Sequence, residues 1–144
     1  FINQGRSLLA SNRLDLATKL ANLSDADSLK EFRSVCPQVA TSAGASEAML
    51  FYGLQKVYLE AAYGPSAQAL QVPETFRNLR VVNRRFIEAA HARNMRIHVW
   101  SVNDVKVMQR LLELGVDGIM TDYPQRLLEL LKKYHVSVVY PAFL

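Results

Sequence analysis

Apolar residues recur at helical spacing in the first third of the chain. A second helix is predicted from an N-cap at Ser24 or Asp25 to Val35. Pro37 predicts the end of this second helix, because the residue before a proline avoids helical backbone angles. The first helix is indicated by four leucines with polar residues between them: Leu9, Leu16, Leu20 and Leu23.

Short apolar segments and helical segments alternate along the rest of the chain. Strict alternation implies parallel strands joined by right-handed crossovers, so we expect the strands to be parallel neighbours in chain order. The predicted strands are Val39–Thr41, Ala69–Val72, Ile97–Ser101 and Gly118–Thr121. The predicted helices are Glu47–Ala62, Asn83–Arg93, one capped by Asn103 or Asp104, and one opened by Pro124.

This order predicts an α/β fold built from parallel βα units. A (β/α)8 TIM barrel takes about 250 residues, and the chain has 144. Four βα units in this length correspond to about half a barrel. The alternative is a small open parallel sheet, but the sequence contains neither Gly-rich phosphate-loop motif that would support it.

Two positions predict a left-handed backbone where a helix ends. Asn94 follows the helix predicted to end at Arg93, and Gly115 separates a leucine-rich helix from the next strand. Glycine, and less often asparagine, is favoured at such positions. We therefore expect a positive φ at both residues.

The composition is that of a globular chain: half of the residues are hydrophobic and 21% are charged. This excludes a disordered or collagen-like chain. No apolar run reaches the ~18 residues of a membrane span, so no transmembrane segment is expected. Cys36 is the single cysteine, which excludes an internal disulfide and leaves the compartment undetermined.

The net charge of +4 comes largely from arginines between residues 77 and 96. Such a cluster could bind phosphate, but it is more typical of the solvated side of a helix. Nucleic acid is therefore a disfavoured partner. The cluster comprises Arg77, Arg80, Arg84, Arg85, Arg93 and Arg96.

The segment from residue 82 to residue 127 resembles the C-terminal end of the glycerophosphodiester phosphodiesterase family. Three family motifs occur in order at the family's spacing: Trp100-Ser101-Val102-Asn103, Gly115-Val116-Asp117-Gly118 and Thr121-Asp122-Tyr123-Pro124. Only Ser101 departs from the family pattern, where threonine is usual. Residues 29–44 and 69–73 also resemble the family's fifth and sixth strands with their approach.

The resemblance implies the C-terminal half of a TIM barrel. It also implies hydrolysis of a glycerophosphodiester to glycerol 3-phosphate and an alcohol, with a divalent metal (Mg or Ca) and two catalytic histidines. The family's catalytic His-Arg-Gly segment, second histidine and acidic metal ligands lie in the N-terminal half of the barrel. None has a counterpart here, since His91, His98 and His135 are not followed by Arg-Gly. We therefore expect neither catalytic residues nor metal ligands in this chain.

The expected organisation is one partial domain over residues 1–144. It comprises an unplaced helical segment (1–24), barrel βα units (25–134) and a C-terminal tail (135–144). The front half would be absent because the chain is a fragment, or because it has been replaced by splicing or fusion.

Three residues are predicted to bind substrate: Trp100, Asn103 and Gln71. Barrel active sites lie at the carboxyl ends of the strands, where Trp100 is expected. Strand alternation places Arg96, His98 and Trp100 on one face, which we interpret as the lumen. Trp100 would form an apolar wall for the glycerol part of a substrate, or it is a core aromatic. Asn103 would bind a ligand or cap a helix, and Gln71 is a polar residue in an apolar strand.

Other polar residues favour structural roles. Asp117 precedes its strand and belongs at the bottom of the barrel, where it would serve stability. Asp122 is interpreted as a helix-start residue, His98 as a core histidine and His91 as a surface residue. Cys36 has no activating pattern.

Two functions remain open. In the first, the chain is part of a glycerophosphodiester phosphodiesterase and requires the missing N-terminal half. Alternatively, it is a non-enzymatic half barrel that is stable through self-association or pairing with another chain.

Overall fold

The computed structural model describes residues 26–134. The helix predicted around Leu9–Leu23, the N-cap at Ser24 or Asp25, His135 and the tail 135–144 lie outside the described residues. Within residues 26–134, no helix is long and apolar enough to cross a membrane.

The described chain is an α/β arrangement of five helices and five strands with one short 3-10 helix at Glu60–Ala62. The helices are α1 (Ala26–Val35), α2 (Ala45–Lys56), α3 (Arg84–His91), α4 (Val105–Leu114) and α5 (Pro124–Lys133). The strands are β1 (Ala69–Pro73), β2 (Thr75–Phe76), β3 (Leu79–Arg80), β4 (Arg96–Trp100) and β5 (Gly118–Ile119).

The main sheet is parallel, in the order β1-β4-β5. Its other side is extended by one parallel bridge between Ser42 and Ala69. The predicted parallel order is therefore confirmed for the last three segments, and the first reaches the sheet only through the bridge at Ser42. The first segment, however, is not a regular strand at Val39–Thr41. Val39 donates its backbone N–H to Cys36 in a turn, and the Gln68 side chain accepts from the Thr41 N–H, so only one bridge forms.

The core lies between the sheet and the helices. Alternate residues of β1 and β4 are buried on the helix-facing side: Leu70, Val72, Ile97 and Val99. They belong to one cluster with apolar side chains from α2, α3 and α4: Phe51, Phe86, Ile87, Ala90, Met108 and Leu111. The predicted direction of Ile97 and Val99 is thereby confirmed.

The helix predicted over Glu47–Ala62 is shorter and is followed by a separate 3-10 turn. Tyr58 takes a left-handed conformation with φ +62°, and the Leu59 N–H bonds the Leu54 carbonyl. This is a Schellman-type end, which a non-glycine residue adopts at a cost. The Arg85 guanidinium lies 3.4 Å from the centroid of the Tyr58 ring and donates to the Gln55 carbonyl, so a contact distant in sequence stabilises the helix end.

Other helix ends agree with the predictions made from the sequence. Gly115 has φ +88° at the end of α4, and Asn94 has φ +56° after α3. Pro124 is the first residue of α5. Asp104, rather than Asn103, caps α4, because its side chain accepts the Val107 N–H at 3.0 Å.

An antiparallel hairpin, β2–β3, follows β1 and has no counterpart in the sequence-based prediction. Phe76 pairs with Leu79, and the two turn residues Arg77 and Asn78 have φ +46° and +64°. Two positive φ values are typical of a tight two-residue hairpin turn. The backbone N–H groups of Val81 and Val82 bond the Glu74 carbonyl and close the hairpin at its base.

Candidate substrate-binding face

The face of the sheet opposite the helices is open among residues 26–134. Gln71 lies directly beside His98, and Pro73 beside Trp100, in the β1–β4 register. Gln71 is exposed, His98 is partly buried and 45% of Trp100 is exposed. The three polar or aromatic side chains of this row therefore share one face, as strand alternation predicts.

His98 lies against the backbone of β5. A Cβ added at Gly118 would come within 2.8 Å of the His98 ring. The absence of a side chain at Gly118 therefore allows the imidazole to approach the neighbouring strand closely. This contact accounts for the partial burial of His98.

Trp100 and Gln71 border the same groove, which has a volume of about 620 Å³. The opposite wall is formed by the loop from Val39 to Gly44, the first turns of α2, and Leu29 and Phe32 of α1. Apolar groups predominate, and the polar ones come from Gln71, Thr41 and Ser42. The structure thus brings together two of the three predicted site residues, whereas Asn103 does not line this groove.

Arg33 holds the loop wall of the groove in place. Its guanidinium forms two hydrogen bonds with Glu47, of 2.7 and 3.0 Å, and also donates to the Thr41 hydroxyl and the Ser42 carbonyl. Glu47 in turn accepts the Gly44 N–H at 2.9 Å. This network joins α1, the loop and α2. The sequence analysis missed it, although a glutamate three residues after the residue preceding a helix is a capping-box signal.

The electrostatics of this network stabilise the charged form of Glu47. The hydrogen bond from Arg33 lowers the pKa of Glu47 below its ordinary value, against the opposing effect of burial, and the Gly44 N–H adds to the lowering. The carboxylate therefore remains ionised at neutral pH and continues to hold both partners.

Asn103 connects the loop after β4 to the loop after β5. Its carbonyl oxygen accepts from the Thr121 hydroxyl at 3.1 Å and from the Asp122 N–H at 3.0 Å, and its amide donates to the Asp122 carboxylate at 2.8 Å. These contacts position the carboxyl ends of two neighbouring strands. They leave one amide N–H of Asn103 for another acceptor. The expected helix-start role of Asp122 is not observed, because its carboxylate accepts from the Asn103 amide and Tyr123 is the N-cap of α5.

Asp117 lies at the opposite end of the sheet, before β5. Its carboxylate accepts from Arg96 at 2.8 Å, from the Ile97 N–H at 2.8 Å, and pairs with His91 at 2.7 Å. Burial raises the pKa of Asp117, but the hydrogen bonds from Arg96, Ile97 and His91 outweigh it and lower the pKa overall. The carboxylate ties the amino ends of β4 and β5 together, in agreement with its expected place at the bottom of the barrel.

Much of the arginine cluster is engaged with acceptors of the chain itself. Arg85 pairs with Glu60 at 3.0 Å, Arg96 with Asp117, and Arg93 donates to the Ala89 carbonyl. Arg110, from outside the cluster, pairs with Glu74. Three of the six arginines therefore have acceptors within the chain, whereas Arg77 and Arg80 lie on the β2–β3 hairpin.

The residues within 26–134 do not fit a metal. No three His, Cys, Asp or Glu side chains in this part of the chain come together as ligands. The partly exposed carboxylates of Glu47 and Asp117 accept hydrogen bonds from protein donors instead. No step of the proposed chemistry is therefore assigned to a metal held by these residues.

Comparison with known proteins extends these observations. A model of the "Glycerophosphoryl diester phosphodiesterase family" matches residues 16–126. The Mycobacterium tuberculosis protein named "Probable glycerophosphodiester phosphodiesterase 2" is 29% identical over 97 residues, which are 65% of this chain and 36% of that protein.

Solved structures match the same architecture. A Silicibacter pomeroyi protein assigned to the glycerophosphoryl diester phosphodiesterases is 26% identical with a TM-score of 0.59, over 78% of this chain and 37% of that one. A glycerophosphodiester phosphodiesterase from Parabacteroides distasonis has a TM-score of 0.56 at 23% identity, over 78% and 42%. The chain thus spans about two fifths of the length of these relatives. Its parallel βα units correspond to part of the TIM barrel of the solved structures. Because the family model matches most of the chain through these units, the chain belongs to the glycerophosphoryl diester phosphodiesterase family.

Proposed function

We propose that this chain forms one wall of the active site of a glycerophosphodiester phosphodiesterase. The reaction would hydrolyse a glycerophosphodiester to glycerol 3-phosphate and an alcohol. The observation that supports the proposal most directly is that Trp100 and Gln71 border one groove on the open face of a family βα sheet.

Each residue would have a distinct role. The exposed Trp100 side chain would cover the apolar side of the glycerol unit and exclude water from it. The amides of Gln71 and Asn103 would donate hydrogen bonds to substrate oxygens, Asn103 through the N–H that Asp122 does not use. Asn103 also holds the Asp122 loop and is therefore a positioning residue.

These roles concern binding and orientation rather than bond cleavage. Contacts that are equal in the ground state and the transition state do not lower the barrier. In this proposal the acid–base residues and the metal come from the N-terminal half of the barrel, and residues 1–144 form one partial domain with βα units at 25–134. The chain by itself is then expected to bind weakly and to hydrolyse nothing.

A chimera tests the proposal. The chain is fused behind the N-terminal half of the Parabacteroides distasonis relative, and release of glycerol 3-phosphate from glycerophosphocholine is measured with and without Mg²⁺ or Ca²⁺. We expect activity in the chimera, none in the 144-residue chain, and a loss of at least about tenfold in kcat/KM for the Trp100→Ala chimera.

The matched control is Tyr123→Ala, which removes an aromatic side chain of similar exposure that does not line the groove. Equal losses in the two variants would contradict the role of Trp100. Metal-dependent hydrolysis by the 144-residue chain alone would contradict the assignment of the catalytic groups to the other half.

A second candidate is a non-enzymatic half barrel that pairs with itself or with another chain. The open face of the sheet and the exposed apolar side chains of α2, Met49 and Leu50, favour this candidate. Apolar surface of this kind is typically covered by a partner.

A further inference from the structure

The β2–β3 hairpin exposes an apolar pair at the end of β1. Phe76 and Leu79 are 55% and 60% exposed. The two residues face each other across the hairpin, and directly opposed residues of antiparallel strands point to the same side. They therefore form one small apolar surface rather than two separate exposed residues.

Positive charge lies at the turn beside this apolar pair and, at Arg80, on the opposite side of the hairpin, since Arg80 is paired with Thr75. Arg77 is at the turn, with its guanidinium 5.4 Å from the centroid of the Phe76 ring, and the Arg80 side chain is 63% exposed. The carboxylate of the segment from 73 to 82 is Glu74, which pairs with Arg110 and lies 3.9 Å from Arg80. The exposed end of the hairpin is therefore apolar and cationic.

The hairpin is also placed away from the open edges of the sheet. It extends β1, which has β4 on one side and the Ser42 bridge on the other. It projects from the carboxyl end of β1, the same end of the sheet at which Trp100 lies.

We infer that the β2–β3 hairpin docks the protein onto a membrane surface that contains anionic phospholipid. Phe76 and Leu79 would enter the boundary between headgroups and acyl chains, where aromatic and aliphatic side chains at the tip of a protein are stabilised. Arg77 and Arg80 would pair with lipid phosphates and with anionic headgroups, which are attractive to basic side chains within a Debye length.

This docking would direct the carboxyl end of the sheet, where Trp100 lies, toward the lipid layer. A molecule leaving the bilayer would reach the groove at Trp100 without crossing bulk solvent. The inference concerns the hairpin and does not depend on the proposed catalytic role, since membrane binding and hydrolysis are measured separately.

Vesicle sedimentation tests the inference with the full 144-residue chain. Vesicles of phosphatidylcholine alone are compared with vesicles that also contain phosphatidylserine. We expect binding to the mixed vesicles that weakens as salt is added, and much weaker binding to phosphatidylcholine alone. Arg77→Gln with Arg80→Gln should reduce partitioning by about fivefold for each arginine.

A variant without the apolar pair is a more specific test than the arginine variant. Phe76→Ser with Leu79→Ser should reduce partitioning by at least about tenfold. The control is Val57→Ser with Leu59→Ser, which removes two side chains of 60% and 57% exposure at the far end of α2. Circular dichroism of each variant confirms that the fold is retained.

Three outcomes would overturn the inference. They are binding that the hairpin variants leave unchanged, an equal loss in the Val57/Leu59 control, and no binding to either vesicle by the unaltered chain. If the hairpin bound a protein and the chain bound no vesicles, the surface would likewise belong to another class of partner.

Discussion

Gly115 and Gly53 differ in backbone conformation, since Gly115 is left-handed and Gly53 is helical. Gly115 has φ +88°, whereas Gly53 lies inside α2, and an added Cβ would meet nothing within 4 Å at either position. Any effect of a methyl group at these positions therefore arises from the backbone and not from a clash. Substitutions at these two positions therefore measure the effect of backbone conformation without an effect of packing.

We expect Gly115→Ala to lower the free energy of unfolding by about 1 kcal/mol, because a Cβ is penalised in the left-handed region. Gly115→Val should lower it further. Gly53→Ala should raise stability by up to about 1 kcal/mol, because alanine is favoured over glycine inside a helix. Urea denaturation of the variants measures both, and a stability change of the same sign for the two alanine variants would contradict the explanation.

The Arg33–Glu47 pair should make stability depend on pH. The folded state lowers the pKa of Glu47 below the ordinary value of 4.5. A group with a lowered folded pKa contributes stability that is present above its unfolded pKa and is lost as pH falls through the folded pKa. The contribution of Glu47 is thus full at neutral pH and disappears in acid.

Glu47→Gln should cost about 1 kcal/mol at neutral pH, since it removes a charge-assisted pair that is partly buried. The difference from the unaltered chain should shrink as pH falls below the ordinary pKa of glutamate, as measured by denaturation at several pH values. Glu129→Gln, at an exposed position of α5, is the control and should change stability little at any pH. A cost for Glu47→Gln that stays constant into acid would disagree with this account.

At the scale of elements, Asn103 joins two βα loops. The loop after β4 supplies Asn103, and the loop after β5 supplies Thr121 and Asp122. Asp104, the next residue, has a purely local role as the cap of α4. Asn103 therefore stabilises a tertiary contact, whereas the adjacent Asp104 stabilises a helix end.

Asn103→Ala should speed amide exchange at Asp122, whose N–H bonds the Asn103 side chain, while exchange at Val107 stays unchanged. Asp104→Ala should produce the reverse pattern and cost about 1 kcal/mol through loss of the cap. Hydrogen exchange followed by NMR measures both amides in each variant. Acceleration of both amides by either variant would indicate general loosening instead of separate roles.

At the scale of the whole molecule, the sheet is open on one face. Gln71 and Trp100 are exposed there, and the groove beside them is bounded by apolar side chains. In the complete barrel of the relatives, the corresponding face is enclosed by eight strands. Exposed apolar surface of this kind favours association with another chain.

We expect the 144-residue chain to self-associate. Analytical ultracentrifugation over a range of concentrations should show a dimer or larger species that dissociates on dilution. The chimera with the N-terminal half of a relative should sediment as a monomer, because its lumen is closed. A chain that remains monomeric at all concentrations would argue against the half-barrel pairing.

Several features could be predicted because they depend on neighbours in the sequence. The parallel order of the strands, the positive φ at Asn94 and Gly115, and the first-turn position of Pro124 follow from periodicity, glycine or asparagine at a helix end, and the fixed φ of proline. The helix ends are decided within a few residues of backbone, whereas the parallel order follows from the alternation of elements along the chain. The motif at Trp100 likewise identified the family before any contact was known.

Other features were decided only when distant segments met. The Arg33–Glu47 pair spans 14 residues, and the Arg85–Glu60 pair spans 25. The actual end of α2 at Lys56 depends on Arg85 lying over Tyr58, which no pattern within α2 indicates.

The sequence by itself determined the alternation of helices and strands, the class of fold and the family. The tertiary structure decided that Gln71 shares a groove with Trp100, that Asn103 is bound to Asp122, and that Phe76 and Leu79 form one exposed surface. The physical reason is that backbone preferences act locally, whereas the partners of a side chain depend on the register between strands and on the path of each loop.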